Sequence, residues 1–237
     1  THLVHFAAWQ GPTSDYDRAI RANAEATGLI MAHCRHATAA LVASTNSVYR
    51  PHADPWHAYV ETDPLGDPTA PHSPTYAVSK VGQEAVARTM ARALGLPTTI
   101  ARINASYGPN GGLPAYHCDA IAAGRAVPLR SPDRSPYSPI HEDDLAAQVA
   151  PLLDAAASPA TIVNWCGDET VTAEQWCALF GERLGVESEL AYYDLPGSQP
   201  GSAADPTKRR SLTGQCTVPW RDGMSALVDQ RTRPANG

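Results

Sequence analysis

The sequence predicts an α/β fold built on a mostly parallel sheet. Four short apolar runs have the length and composition of buried strands, at 2–8, 38–43, 98–103 and 161–165. Helical patterns lie between them, at 15–36, 75–94 and 142–156. Strands that alternate with helices in this way pair in parallel, and open sheets of this kind bind ligands at the carboxyl ends of their strands.

The remaining segments predict a long surface loop and a second structural unit. Residues 51–74 are rich in Pro, His and Asp, so we expect a loop that borders the substrate pocket. Further helices are expected at 113–124, followed by an irregular stretch, and at 172–184, where Thr172 is placed as the cap. The polar tail after Gly197 is expected to fold back as part of a lid and to fray at its end.

One helix carries a pair of residues suited to acid–base chemistry. Tyr76 and Lys80 stand four residues apart, so they share one helix face, and Lys80 is one of two lysines in a chain that otherwise uses arginine. A nearby ammonium favours the phenolate and would lower the pKa of Tyr76 from its usual value of about 10. Tyr76 is therefore a candidate general acid/base, although an exposed Tyr-Lys pair also arises by chance at this spacing.

Six motifs follow one another along the chain, and each is weak alone. They are His5-Phe6-Ala7-Ala8, Asn23 within Arg21–Thr27, Ser44-Thr45-Asn46-Ser47-Val48-Tyr49, Tyr76 with Lys80, Arg102–Pro109 and Pro139–Ala146. In this order and spacing they resemble the extended short-chain dehydrogenase/reductase superfamily, in its NAD-dependent epimerase/dehydratase branch.

The resemblance implies a partial Rossmann dinucleotide-binding domain at 1–108 and 140–165, and a small substrate-binding lid at 109–139 and 166–237. It implies NAD or NADP as cofactor and a small-molecule substrate. The catalytic residues it implies are Thr45, Tyr76, Lys80 and Asn23. The cofactor contacts it implies are Phe6, Ala7, Ala8, Tyr76, Lys80 and Asn104. The substrate contacts it implies are Thr45, Asn46, Arg134 and Tyr137.

Two of these residues also have ordinary structural interpretations. Thr45 would hydrogen-bond the substrate oxygen, but a threonine at the end of a strand also bonds its own backbone. Asn23 would hold a water in a proton relay, or it is a polar helix residue without a chemical role. His33 and His36 do not predict zinc, because no cysteine or carboxylate stands at a ligand spacing.

The chain also departs from the family pattern. It has no G-x-x-G-x-x-G loop and begins at the family's fourth strand, so we expect that about 70 residues of the pattern are missing before Thr1. Ala105 replaces an asparagine, and Tyr137 replaces an arginine that often grips a diphosphate, a role that Arg130 or Arg134 could take. Asn46-Ser47 after Thr45 disfavours a dehydratase, in which Asp-Glu is common there.

Composition narrows the remaining possibilities. The net charge of −6 argues against nucleic acid or a membrane surface as partner, and no apolar run approaches the roughly 20 residues of a membrane span. Five scattered cysteines fit reduced thiols in the cytoplasm. By resemblance, helices 15–36 and 75–94 would pair in a homodimer.

The sequence leaves the reaction open. A sugar epimerase and a simple reductase or dehydrogenase share the same acid–base residues. A non-catalytic Rossmann-fold binding protein, or a degenerate fragment, is the alternative from another class, and the missing glycine loop favours it. The retained Thr45, Tyr76 and Lys80 favour an enzyme.

Overall fold

The structure, a computed structural model, describes residues 1–70, 72–130 and 135–232. The strands in these ranges are β1 (Leu3–His5), β2 (Ala40–Thr45), β3 (Thr98–Ile103), β4 (Ser106–Tyr107), β5 (Val127–Arg130), β6 (Pro136–Tyr137), β7 (Ile140–His141), β8 (Thr161–Trp165), β9 (Val171–Thr172) and β10 (Leu190–Tyr193). The helices are α1 (Tyr16–Ile20), α2 (Ala26–His33), α3 (Tyr76–Leu94), α4 (Leu113–Ala122), α5 (Glu142–Asp154), α6 (Ala173–Leu184), α7 (Thr207–Thr213) and α8 (Trp220–Thr232).

A four-stranded parallel sheet in the order β1-β2-β3-β8 confirms the predicted fold class. Because all four strands run the same way, their carboxyl ends lie along one edge of the sheet. These ends are His5, Thr45, Ile103 and Trp165. The strands are short apolar runs because both faces of the sheet are covered by helices.

The two faces of the sheet bury alternate residues of each strand. Ala40, Val42 and Ile100 face a core that they share with Met31 of α2 and Ala87 of α3. Leu41, Ala101 and Val163 face the opposite core, which they share with Leu152 of α5. Helix α3 ends as predicted, because Gly95 takes the left-handed conformation (φ 60°) that closes a helix at little steric cost.

A second core is formed by α4, α6 and α8, within the residues predicted to form the lid, and this part of the chain is called the lid below. Its core contains Trp176, Phe180, Met224 and Leu227, with Val127 of β5 packed against them. The pairs β5–β10 (parallel) and β6–β9 (antiparallel) lie at its border. The lid boundaries stay a prediction, and α7 packs on the sheet side, where Leu212 contacts the core beside α5.

Several elements differ from the sequence-based expectations. The helix predicted at 15–36 is α1 and α2 joined by a π-helical turn at Arg21–Glu25. The stretch after α4, expected to be irregular, contains β5 and β6, and neither β10 nor α7 and α8 were predicted. Thr172 caps α6 as predicted, in a capping box with Gln175.

The long loop is confirmed, since the described residues within 51–74 form no helix or strand. It is nevertheless anchored, because Tyr59 is buried and its backbone bonds Ala203 and Asp205. None of the helices in the described ranges is both long and apolar enough to cross a bilayer.

Candidate active site

Strand β2 and helix α3 meet through side chains that stand on one face of the helix. The Thr45 side chain lies close to the Tyr76 phenol and lowers its pKa. Lys80 Nζ donates to the Ala43 carbonyl at 2.7 Å, and Ser44 Oγ donates to Glu84 Oε1 at 2.7 Å. Three consecutive strand residues thus contact three helix residues that stand one turn apart on the same face. The predicted catalytic residues Thr45, Tyr76 and Lys80 come together at the carboxyl end of β2.

The acidity of Tyr76 differs from the sequence-based expectation. Burial raises the pKa of the Tyr76 phenol above its usual value, and the nearby Thr45 side chain opposes this only in part. Lys80 Nζ lies 6.0 Å from the centre of the Tyr76 ring and is bonded to Ala43, and its charge does not offset the burial of the phenol, so the expected fall in the pKa of Tyr76 is wrong. Tyr76 is therefore a neutral phenol here, the form that can donate a proton.

Lys80 is buried, and its own titration lies close to neutral pH. Burial lowers the pKa of the Lys80 ammonium to about 8, while the nearby carboxylate of Glu84 acts in the opposite direction. One of its three N–H groups is used by Ala43, which leaves two for other acceptors.

Asn23 is fully buried in the π-helical turn between α1 and α2. Its amide nitrogen donates to the Trp9 carbonyl at 2.9 Å and to Ser79 Oγ at 2.8 Å, and its oxygen accepts the Trp9 N–H at 2.6 Å. Asn23 therefore connects the segment that follows β1 to α3. Both amide hydrogens are used, and its role in a proton relay stays a prediction.

A second buried polar group, missed from the sequence, lies behind Asn23. Thr27 Oγ1 donates to the Asn23 carbonyl at 2.7 Å, so it accepts from Gln83 and from His5 Nε2, both at 2.9 Å. His5 is thus the Nε2–H tautomer, and burial lowers its pKa, with the charge of Lys80 adding to the effect. The four-residue spacing of Asn23 and Thr27 was the available signal.

Two asparagines at the strand ends bind one backbone carbonyl. Asn46 Nδ2 donates to the Ser202 carbonyl at 3.0 Å and to Ser202 Oγ at 2.8 Å, and Asn104 Nδ2 donates to the same carbonyl. Asn104 Oδ1 accepts the N–H groups of Ala105 and Ser138. The amide of Asn104 is therefore committed to its own chain, and its predicted cofactor contact stays a prediction. The position of Ser202 was not predicted.

The other predicted residues fall at the edges of this group. Phe6, Ala7 and Ala8 are exposed just after β1, and the Phe6 ring lies 5.7 Å from that of Trp165. Tyr137 on β6 forms a bridge with Ser202, which places it beside Asn46. Arg134 lies outside the described residues.

A buried ion pair joins α3 to β3. Arg102 Nε and Nη2 bond the two carboxylate oxygens of Glu84, both at 2.8 Å, and Arg88 adds a bond at 3.0 Å. The Arg102 guanidinium also lies 4.7 Å from the centre of the Tyr49 ring.

These features identify a Rossmann-type α/β protein with a tyrosine–lysine site at the ends of its strands. The family description "NAD dependent epimerase/dehydratase family" matches residues 1–164, and the chain belongs to this family. No curated protein matches the chain significantly.

Solved structures share the fold. UDP-glucuronic acid 4-epimerase from Bacillus cereus, solved with UDP-glucuronic acid and NAD, is 20% identical with a TM-score of 0.80, covering 97% of this chain and 74% of that one. UDP-glucose 4-epimerase from Thermus thermophilus, solved with NAD, is 23% identical with a TM-score of 0.79, covering 98% of this chain and 78% of that one. The dTDP-glucose 4,6-dehydratase DesIV from Streptomyces venezuelae, solved with NAD and TYD, is 24% identical with a TM-score of 0.78, covering 97% of this chain and 72% of that one.

Proposed function

We propose that this protein is an NAD(P)-dependent enzyme that moves a hydride at a hydroxyl or carbonyl carbon of a nucleotide sugar. The observation that carries the proposal is the placement of the Thr45 side chain beside the Tyr76 phenol, with Lys80 fixed one turn further along the same helix face. The family match and the nucleotide sugars or NAD present in the neighbouring structures support the substrate and cofactor class.

In this proposal Tyr76 moves the proton at the reacting oxygen. Its neutral phenol donates to a carbonyl oxygen that gains charge, and its phenolate accepts the proton in the opposite direction. The Thr45 side chain lies beside the phenol, where it orients the same oxygen. Lys80 places a positive charge beside the ring, which stabilises the phenolate when it forms. The bound cofactor supplies the hydride acceptor and donor.

The nicotinamide half of a dinucleotide fits the residues present. Lys80 has two N–H groups without a protein partner among the described residues, and a ribose offers hydroxyl acceptors for them. Phe6, Ala7 and Ala8 give an exposed, mostly small surface at the end of β1. For the diphosphate half, the sequence has no glycine loop, and no contact to that half is assigned.

On the substrate side, Asn46 and Tyr137 keep their proposed contacts. Ser202 offers the Asn46 amide a carbonyl, which only accepts, so Nδ2 faces Ser202 and Oδ1 is left over. This oxygen is buried and has no partner among the described residues. It would accept a hydrogen bond from a substrate hydroxyl beside Thr45. Arg134, with Arg130 nearby in sequence, is proposed for the diphosphate.

The alternative from another class is a binding protein that kept the fold without turnover. Within enzymes, a reductase would release the oxidised or reduced cofactor, whereas an epimerase would recycle it. The contacts of Tyr76 and Lys80 favour an enzyme, because a buried lysine costs stability that a pure scaffold does not need.

The test is a fluorescence titration of the 237-residue chain with NADH and, separately, with NADPH. We expect saturable binding of one of them, and then a change in the absorbance of the reduced nicotinamide when the NAD(P)⁺-loaded chain meets UDP-glucose or UDP-glucuronic acid. Binding without any sugar-dependent change in absorbance, and with no epimerised sugar among the products, would favour the binding protein. A folded sample that binds neither cofactor would contradict the proposal for this chain.

We also propose a homodimer formed through α2 and α3, and a cytoplasmic location. Leu29 is 73% exposed, and a shallow apolar patch on α3 is formed by Ala85, Val86, Thr89 and Met90. The two helices are adjacent, since a Cβ on Gly28 would lie 3.0 Å from Val86 Cγ1. Light scattering on wild type and on Val86→Glu tests the dimer, and a monomeric wild type would contradict it. The five cysteines are free thiols, as a reducing compartment would keep them.

A further inference from the structure

Glu84 is a buried carboxylate that the proposed chemistry does not use. It is 1% exposed, and so is its partner Arg102. The carboxylate accepts four hydrogen bonds, from Ser44, Arg88 and twice from Arg102. Burying ionised groups is expensive even when they are paired, so stability alone is a weak reason for this arrangement.

The position of Glu84 gives it a direct mechanical link to the catalytic group. Its bond to Ser44 stands between the Ala43–Lys80 contact and the Thr45–Tyr76 contact on β2. Arg102 is on β3, the next strand, so Glu84 binds α3 to two neighbouring strands at once. A helix held at these points cannot slide along the sheet without breaking a charged bond.

Glu84 is also the negative charge nearest to Lys80 on α3, one helical turn away. Two neutral groups face Lys80 from other positions, His5 on β1 and Tyr76 on α3 itself. The permanently charged Arg102 on β3 faces Glu84. Burial lowers the pKa of the Lys80 ammonium, and the Glu84 carboxylate raises it. Without it, Lys80 and Arg102 would be two buried cations with no counter-charge on the helix.

We propose that Glu84 is a positioning residue for the catalytic group, holding α3 in register on β2 and β3 and keeping the Lys80 side chain charged. Its catalytic consequence rests on the proposed function, because only a reaction at Tyr76 needs the charge of Lys80. The charge itself can be measured without any substrate.

The chain makes this measurement simple, since its only lysines are Lys80 and Lys208. Trace acetylation with acetic anhydride at a series of pH values, read by mass spectrometry of the two peptides, reports the titration of each amine. Lys208 is exposed and serves as the internal control. We expect wild-type Lys80 to titrate near pH 8 and Glu84→Gln to shift it down by about 1 to 3 pH units, with Lys208 unchanged.

Two further variants separate the effects. Glu84→Asp keeps the charge and should restore most of the Lys80 titration. Glu84→Gln alone leaves Arg102 buried without a partner, so the double variant Glu84→Gln/Arg102→Met provides a second test that leaves no unpaired arginine. It should also show the lowered Lys80 titration, because Glu84 and not Arg102 acts on Lys80.

An unshifted Lys80 in either folded variant, with folding checked by circular dichroism, would overturn the inference. Failure of the proposed function has a different signature, in which Lys80 titrates as expected but the wild type binds no cofactor. In an active enzyme, turnover should fall as the pH rises and Lys80 loses its proton. The midpoint of that fall should lie at a pH lower by the same amount in Glu84→Gln than in wild type.

Discussion

The sheet half of the molecule and the lid are held together by different chemistry. Around α3 the buried side chains include Asn23, Lys80, Glu84 and Arg102, and each of them is held by hydrogen bonds or an ion pair. In the lid the corresponding space is filled by Trp176, Phe180, Met224 and other apolar side chains.

The difference indicates how strictly the positions of side chains are fixed in each half. An apolar core tolerates rearrangement if its volume is kept, whereas a buried polar network requires every donor to face its acceptor. The sheet half therefore fixes the positions of a few reactive atoms at a cost in stability. The lid supplies ordinary packing. Substitutions in the sheet half should change function before stability, and those in the lid should do the reverse.

Tyr76→Phe should give the largest effect and should change activity alone. Removing the phenolic oxygen removes the general acid/base, which typically contributes about 10²- to 10⁴-fold to turnover. The ring remains, so the melting temperature should stay within a few degrees of wild type. Steady-state kinetics on a turned-over nucleotide sugar, with calorimetry, tests this. Tyr116→Phe, at a tyrosine that is 65% exposed, is the matched control. Undiminished turnover in Tyr76→Phe would remove Tyr76 from its role.

Trp176→Ala should show the opposite pattern in the lid. The Trp176 side chain is fully buried and its Nε1–H donates to His117 Nδ1 at 3.0 Å, so its loss leaves a large cavity and removes a hydrogen bond from that ring nitrogen. We expect about 3–5 kcal/mol less free energy of unfolding in a urea titration. Trp56→Ala, at an exposed tryptophan in the long loop, should change it by about 0.5 kcal/mol or less. Equal losses in the two variants would contradict the apolar role of the lid core.

The same lid contact predicts a pH dependence of stability. Burial lowers the pKa of His117 to about 4, from about 6.5 in an unfolded chain. Between these values the unfolded chain binds the proton and the folded one does not, so stability falls as the pH drops from about 6.5 to about 4. The full loss is about 3 kcal/mol. Urea titrations across this range should give a flatter curve for His117→Gln, whose amide oxygen can still accept from Trp176. His36→Gln, at an exposed histidine, should follow the wild type.

The sequence predicted the parts of the sheet half whose signals are local. Helix α3 was predicted from the Tyr76–Lys80 spacing and from Gly95 at its end, and α6 from the Thr172 cap, because each signal lies in the element it marks or directly beside it. Strands β5 and β10 were missed. They are four residues long and stabilise each other by pairing Val127 with Leu190, a contact that no local pattern encodes.

The sequence also predicted only those parts of the candidate site whose signals are local. Thr45, Tyr76 and Lys80 meet as expected, because motif order carried that information. The expected fall in the pKa of Tyr76 was wrong, since helix spacing gives proximity and says nothing of burial, which dominates here. The pair of Glu84 with Arg102 could not be predicted either, because it depends on which strand neighbours β2.

The smallest expected effects should be equal in the two halves. Gly95 ends α3 and Gly185 ends α6, both in the left-handed conformation (φ 60° and 68°), and a Cβ at either would meet no neighbour within 4 Å. Replacing either by alanine changes only the backbone conformational preference, which costs about 1 kcal/mol. Urea titrations of Gly95→Ala and Gly185→Ala should therefore give matching losses. A clearly larger loss at Gly95 would mean that the C-terminal end of α3 is coupled to the polar network around Lys80 and Glu84. The division between a constrained sheet half and an ordinary lid would then extend to local backbone features as well as to side chains.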